Sequence, residues 1–122
     1  TLPAINTTAN SPNNGPGTPP ATLNNVGTSY TFFIETTATA VSIATNGTDK
    51  FVGSLLMVDT DSSGAATGYA PASTNDFINL NGTTTGGIAG TWITVTVLAA
   101  AKYFVQGVVL GSGTVATPFA DA

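Results

Sequence analysis

The chain has 122 residues, a net charge of −4 and a hydrophobic fraction of 42%, which is enough for one domain with a single modest core. Its only cations are Lys50 and Lys102, so it has no basic patch with which to bind nucleic acid or an anionic membrane. The absence of cysteine and histidine removes disulfides, thiolate chemistry, the commonest metal ligand and the usual general base near neutral pH.

Charged residues make up 7% of the chain, against about 25% in an average soluble domain. The polar surface must therefore be built from Thr, Asn, Ser and Gly. Such a surface is neutral and hydrogen-bonding, suited to lying against other protein and poorly suited to dispersal by charge repulsion. No apolar run approaches a membrane span, and no signal peptide is visible at Thr1. A start at Thr is equally compatible with a removed initiator Met and a removed leader.

Residues 1–28 read "TLPAINTTANSPNNGPGTPPATLNNVGT" and contain five of the seven prolines. Proline cannot donate to a ladder and blocks a helix interior. Leu2, Ile5, Leu23 and Val26 are too sparse to form a core, so this stretch is expected to be an extended arm held by a neighbouring surface or subunit. Those four isolated apolar residues are the expected partner contacts. Residues 29–122 are expected to form the folded domain.

From Tyr30 the pattern changes. "YTFFIE" places Tyr30, Phe32 and Ile34 on one face, and "AVSIAT" places Val41 and Ile43 together. "NGTD" (46–49) reads as a turn, because Asn-Gly tolerates positive φ. "KFVGSLLMV" (50–58) reads as a strand buried on both sides, with Gly53 marking a bulge or a close backbone approach. "DFINL" (76–80) is a short strand, and "NGTTTGGIAG" (81–90) is a loop. "TWITVTVL" (91–98) alternates Ile93, Val95 and Val97 with threonines. "LAAA" (98–101) has the composition of a helical turn. "KYFVQGVVL" (102–110) is a further strand, and "TVATPF" closes the chain. Short β-branched and aromatic runs separated by Gly or Asn predict an all-β fold, a small antiparallel β-sandwich or barrel with an extended N-terminal arm.

The stretch "LLMVDTDSSGAATGY" (55–69) invites two chemical readings. "MVDTDSS" resembles the active-site loop of retroviral and pepsin-like aspartic proteases, and "VVLGSG" (108–113) resembles their later hydrophobic-Gly motif. Asp61, however, stands where that family has Gly. It would add negative charge where two carboxylates must share one proton. Asp59, Asp61, Ser63 and Gly64 also match the first half of a calcium loop, but position 12 of that loop is Ala70 rather than a carboxylate. The third reading is a strand ending in a turn, with Asp and Ser side chains capping free N–H groups. That reading requires no ligand and is the expectation.

Other constellations are thinner. Lys50 and Ser54 share a strand face with no oxyanion donor implied. Asn6, Asn46 and Asn81 each begin Asn-x-Thr, a pattern frequent by chance in so Asn- and Thr-rich a chain. Trp92, Tyr30, Tyr69 and Tyr103 have the rings to stack on a sugar, although packing is their commoner use. No catalytic residue, metal or cofactor is expected.

The second half, "NDFINLNGTTTGGIAGTWITVTVLAAAKYFVQGVVLGSGTVATPFA", resembles small β modules of tailed-bacteriophage structural proteins. The resemblance is carried by Tyr103-Phe104, Gly107, Gly111, Gly113 and Ala116-Thr117-Pro118-Phe119, and "VGTSYTFFIET…VSIATNGTDKFVG" extends it forward to residue 26. It implies a capsid decoration (cement) protein on the outer surface of a virion, a homotrimer bound to the major capsid protein, without nucleic acid or membrane. The alternatives are a receptor- or carbohydrate-binding domain of a phage fibre, or a subunit of a surface filament.

Overall fold

The computed structural model describes residues 1–7, 24–61 and 64–122. Eight strands follow one another: β1 (Ser29–Phe33), β2 (Val41–Ala44), β3 (Lys50–Asp59), β4 (Ala66–Tyr69), β5 (Phe77–Leu80), β6 (Trp92–Ala99), β7 (Lys102–Gly111) and β8 (Phe119–Ala120). They form a five-stranded sheet, β1-β6-β7-β3-β4, and a three-stranded sheet, β2-β5-β8. There is no helix among the described residues, so the all-β expectation holds.

The core lies between the sheets. Phe51, Leu55 and Met57 of β3, Ile93, Val95 and Val97 of β6, and Tyr103, Val105 and Val109 of β7 point inward. They meet Ile43 of β2, Ile78 and Leu80 of β5 and Phe119 of β8. The Phe51 ring joins the layers, with centroids 6.5 Å from Phe119 and 6.4 Å from Tyr103. The period-2 alternation read in β6 is seen directly, because all three of its aliphatic residues are buried.

Three details differ from expectation. The central pair β3–β7 is parallel over all ten residues, from Lys50 opposite Lys102 to Asp59 opposite Gly111, whereas every other strand pair is antiparallel. β3 is buried on one side only, since Ser54 and Leu56 are exposed. "LAAA" is not helical: Leu98 and Ala99 finish β6, and Ala100-Ala101 form a two-residue connection to β7 with Ala101 at φ 58°. The hairpin register overrides the helical preference of alanine there.

Gly53 is required where the sequence marked it. Its φ is +112°, and a Cβ at that position would lie 2.2 Å from the Val105 carbonyl oxygen. Gly107 admits close approach of β6 in the same way, since a Cβ there would lie 2.3 Å from the Trp92 oxygen.

Residues 1–6 do not stand apart from the β domain. Leu2 is 6% exposed within the core, its N–H donates to the Ala44 oxygen at 2.7 Å, and Ile5 packs against the same cluster. Asn25 N–H donates to the Asn6 oxygen at 3.0 Å, and Asn6 N–H donates to Asn25 Oδ1 at 2.8 Å. The chain between them therefore leaves and returns at one place.

Candidate binding face

Strand register brings together residues that lie far apart in sequence. On the outward face of the large sheet, Phe33 pairs with Trp92, Trp92 with Val108, Val108 with Leu56, and Leu56 with Gly68. These five positions form one row running from edge strand β1 to edge strand β4. At about 4.8 Å between strands the row is roughly 19 Å long. Phe33 is 64% exposed, Leu56 44% and Trp92 40%, with Val108 half-buried between them.

The next row along the strands is polar: Thr31, Thr94, Gln106 and Ser54, again in register. The Thr31 and Thr94 hydroxyls are 2.9 Å apart and hydrogen-bonded, and one row further Ser29 and Thr96 are paired at 2.7 Å. On the other side of the apolar row, Val58 and Leu110 pair, both half-buried. An apolar strip thus lies beside a strip whose hydroxyls are already partly satisfied by one another.

The charge distribution matches this division. None of the six acidic residues occupies an outward position in the large sheet; Asp59, the only one in its strands, points inward. Both lysines begin their strands at one end of the face, in register. Lys50 Nζ is engaged by Asp76 Oδ2 at 2.8 Å and by the Gly47 oxygen at 2.8 Å. Trp92 and Leu56 therefore sit on a neutral field, with the Lys102 ammonium at its far end.

The stretch around Asp59 resolves as a capped turn. Asp61 N–H donates to Asp59 Oδ1 at 3.2 Å, while Gly113 N–H lies 3.1 and 3.0 Å from the two oxygens of the Asp61 carboxylate. Thr60 donates both its N–H, at 2.8 Å, and its hydroxyl, at 2.9 Å, to the Gly111 oxygen. These groups pin the end of β3 to the last residue of β7 and to the segment after it. The Asp61 carboxylate thus accepts the Gly113 N–H as the cap of a strand-ending turn. Ser62 and Ser63 lie outside the described residues. Among the described residues no three His, Cys, Asp or Glu side chains cluster as a metal site would require.

The expected arm contacts separate. Leu2 is a core residue and Ile5 is half-buried against the core, so neither is isolated in the way that suggested a partner contact. Val26 is 45% exposed, and Leu23 lies outside the described residues. Of the aromatic set, Tyr103 is buried and Tyr30 and Tyr69 pack against the core, Tyr69 donating its hydroxyl to the Val115 oxygen at 3.1 Å. Trp92 alone of the four faces outward on the sheet, and the structure adds Phe33 beside it. Phe33 was missed because "YTFFIE" shows which residues alternate with the core face, not what the opposite face adjoins. A depression of about 250 Å³ on the small sheet lies between Val41, Ser42, Asn79 and Leu80, with Ser42 Oγ donating to Asn79 Oδ1 at 2.7 Å.

Burial pushes the Tyr103 hydroxyl up to about 12, with Tyr30 and Asp49 nearby adding to the effect. The Lys50 hydrogen bond holds the Asp76 carboxyl below its ordinary value, against the opposing effect of burial. Both groups are part of the architecture and neither lies on the outward face. No protein-family model, curated protein or solved structure shows significant similarity to the chain.

Proposed function

We propose that this chain is a capsid decoration protein, a non-enzymatic module that binds the outer surface of an assembled viral head and stabilises it. The observation that carries this reading is the exposed row Phe33–Trp92–Val108–Leu56 on a sheet face with no acidic side chain and its two lysines confined to one end. Interface centres are depleted in charge and enriched in aromatic residues, with a polar rim that excludes water. The row and its flanking Thr and Gln side chains have that composition. The major capsid protein is the proposed partner, and the proposed assembly is a homotrimer.

The mechanism needs no bond chemistry. A ligand that binds only the assembled lattice stabilises it by mass action. Linking three copies makes each later contact intramolecular and multiplies the avidity. Phe33 is 64% and Trp92 40% exposed, so burying what remains removes about half of the roughly 150–250 Å² of a whole aromatic residue, contributing about 2–3 kcal/mol each before the costs of association.

A second reading is favoured by one observation, the adjacency of Trp92 and Phe33 to the hydroxyl row Thr31–Thr94. An aromatic platform beside hydrogen-bonding groups suits a neutral sugar, as in a receptor-binding domain of a fibre. Electron cryo-microscopy of the particle that carries the chain separates the two. Many copies at local three-fold positions, with the outward face of the large sheet against the shell, is the expected result. A few copies at a fibre tip, with that face in solvent, would discard decoration in favour of sugar binding.

A further inference from the structure

Residues 1–6 are bound to the rest of the chain as a peptide is bound to a receptor. Leu2 supplies the apolar anchor in the core, and its N–H donates to Ala44. The Pro3 carbonyl accepts a hydrogen bond from the Tyr103 hydroxyl. Ile5 N–H donates to Asp49 Oδ2 at 3.1 Å, and Asn25 Nδ2 donates to the Ala4 oxygen at 2.9 Å. The reciprocal Asn6–Asn25 pair closes the end of the slot. Tyr103 and Asp49 are both buried, so emptying the slot would remove a partner from each and leave a hole where Leu2 sits.

We propose that this slot accepts residues 1–6 of a second copy, so that neighbouring molecules exchange their N-terminal segments. Every contact above joins the segment to residues 25–122, and none depends on which chain supplies it. The tether is residues 7–24, "TTANSPNNGPGTPPATLN". Fully extended, 18 residues reach about 60 Å, enough to cross to an adjacent molecule of this size. Exchange conserves the contacts and changes only the connection, which makes it a low-cost route to assembly.

Mass action decides when exchange occurs. A linker of this length gives the segment an effective concentration of order mM at its own slot. In micromolar solution the slot fills from its own chain. At millimolar local density, a neighbour's segment competes on equal terms. Dense packing of copies on a shell would supply that density, a step that rests on the decoration reading; the exchange itself does not.

The test uses the whole chain in solution. It is unfolded, refolded at ~1 mM and at ~1 µM, diluted quickly to a common concentration, and sized by chromatography with light scattering. The expected result is a discrete oligomer fraction only in the concentrated sample. Leu2→Asp should abolish it, as should ~5 mM of a synthetic peptide of residues 1–6 present during refolding of the unaltered chain. Trp92→Ala should leave it intact. The peptide arm holds even where Leu2→Asp impairs folding. Monomer under every condition overturns the proposal. So does an oligomer that survives the peptide, or one that Trp92→Ala removes, since that oligomer forms through the outward face.

Discussion

Leu55 and Leu56 are consecutive leucines of one strand, and one is 1% exposed while the other is 44% exposed. The same division runs across the whole large sheet. Its inward face carries Phe51, Met57, Ile93, Val95 and Val105, covered by the small sheet and by Leu2. Its outward face carries Phe33, Trp92, Val108 and Leu56, in register and uncovered. The outward face has one apolar row among polar ones, so an apolar row alone does not say which face makes the fold. Among the described residues, the inward face is the one that the rest of the chain packs against. The outward face has kept side chains that contribute little to folding, which is why it is the place to look for function.

The sharpest way to break this comparison is to truncate both leucines. Leu55→Ala should cost about 2–5 kcal/mol in urea unfolding, for lost transfer energy and the cavity left behind. Leu56→Ala should cost about 0.5 kcal/mol or less in the isolated chain. Equal losses would mean that the outward face is covered in solution, by another copy, and that the two faces are not different in kind.

Glycine extends the comparison to the backbone. Gly53→Ala should destabilise by about 2–3 kcal/mol, because its φ of +112° and the Val105 oxygen 2.2 Å from the added Cβ both oppose a side chain. Gly68, at the end of the outward row, has nothing within 4 Å of such a Cβ. Gly68→Ala should change stability by about 0.5 kcal/mol or less. A tolerant Gly53 would refute the close approach between β3 and β7.

The inward face also predicts an alkaline limit. Tyr103 keeps its proton up to about 12 in the folded chain, against an ordinary value of 10.0. Between those values the unfolded chain has released that proton and the folded chain has not, so stability falls as pH rises through the window. Tyr103→Phe should start less stable, because it leaves the Pro3 carbonyl without its hydroxyl donor, yet lose less between pH 10 and 12. Parallel losses in the two chains, measured by urea unfolding at each pH, would remove Tyr103 as the cause.

Local patterns in the sequence predict local structure well here. The alternation of "TWITVTVL" and the Asn46-Gly47 turn are visible because each is written in adjacent residues. Asn46 Oδ1 indeed receives the N–H groups of Thr48 and Asp49, at 3.0 and 2.9 Å. Ala100-Ala101 carries no turn signature, because alanine is rarely chosen for positive φ. Leu2 was legible only as an isolated apolar residue; a single anchor among prolines has no period to reveal that it enters a core. The binding face was least legible. Phe33, Leu56, Trp92 and Val108 become neighbours only through strand order and the parallel β3–β7 register, which are decided by long-range pairing.

The smallest expected effect concerns the two ends of the sheet system. Asp76 immediately precedes β5, is 3% exposed, and accepts from Lys50 Nζ at 2.8 Å and from Ala122 N–H at 3.0 Å. It thereby ties the first residue of β3 in the large sheet to the start of β5 and to the chain end beyond β8 in the small one. Its folded carboxyl titrates below the ordinary 3.8, chiefly through the Lys50 hydrogen bond. Between the ordinary and the lowered value the unfolded chain binds a proton that the folded chain does not, so this stabilisation is present above 3.8 and is lost as pH falls through the folded value. Asp76→Asn keeps an oxygen for Ala122 N–H and gives up the ion pair. The gap in melting temperature between the two chains should therefore be widest near neutral pH and close as the solution is acidified. A gap that stays constant from pH ~6 to ~2 would mean that Asp76 holds the sheets together through its hydrogen bonds alone and that its charge contributes nothing.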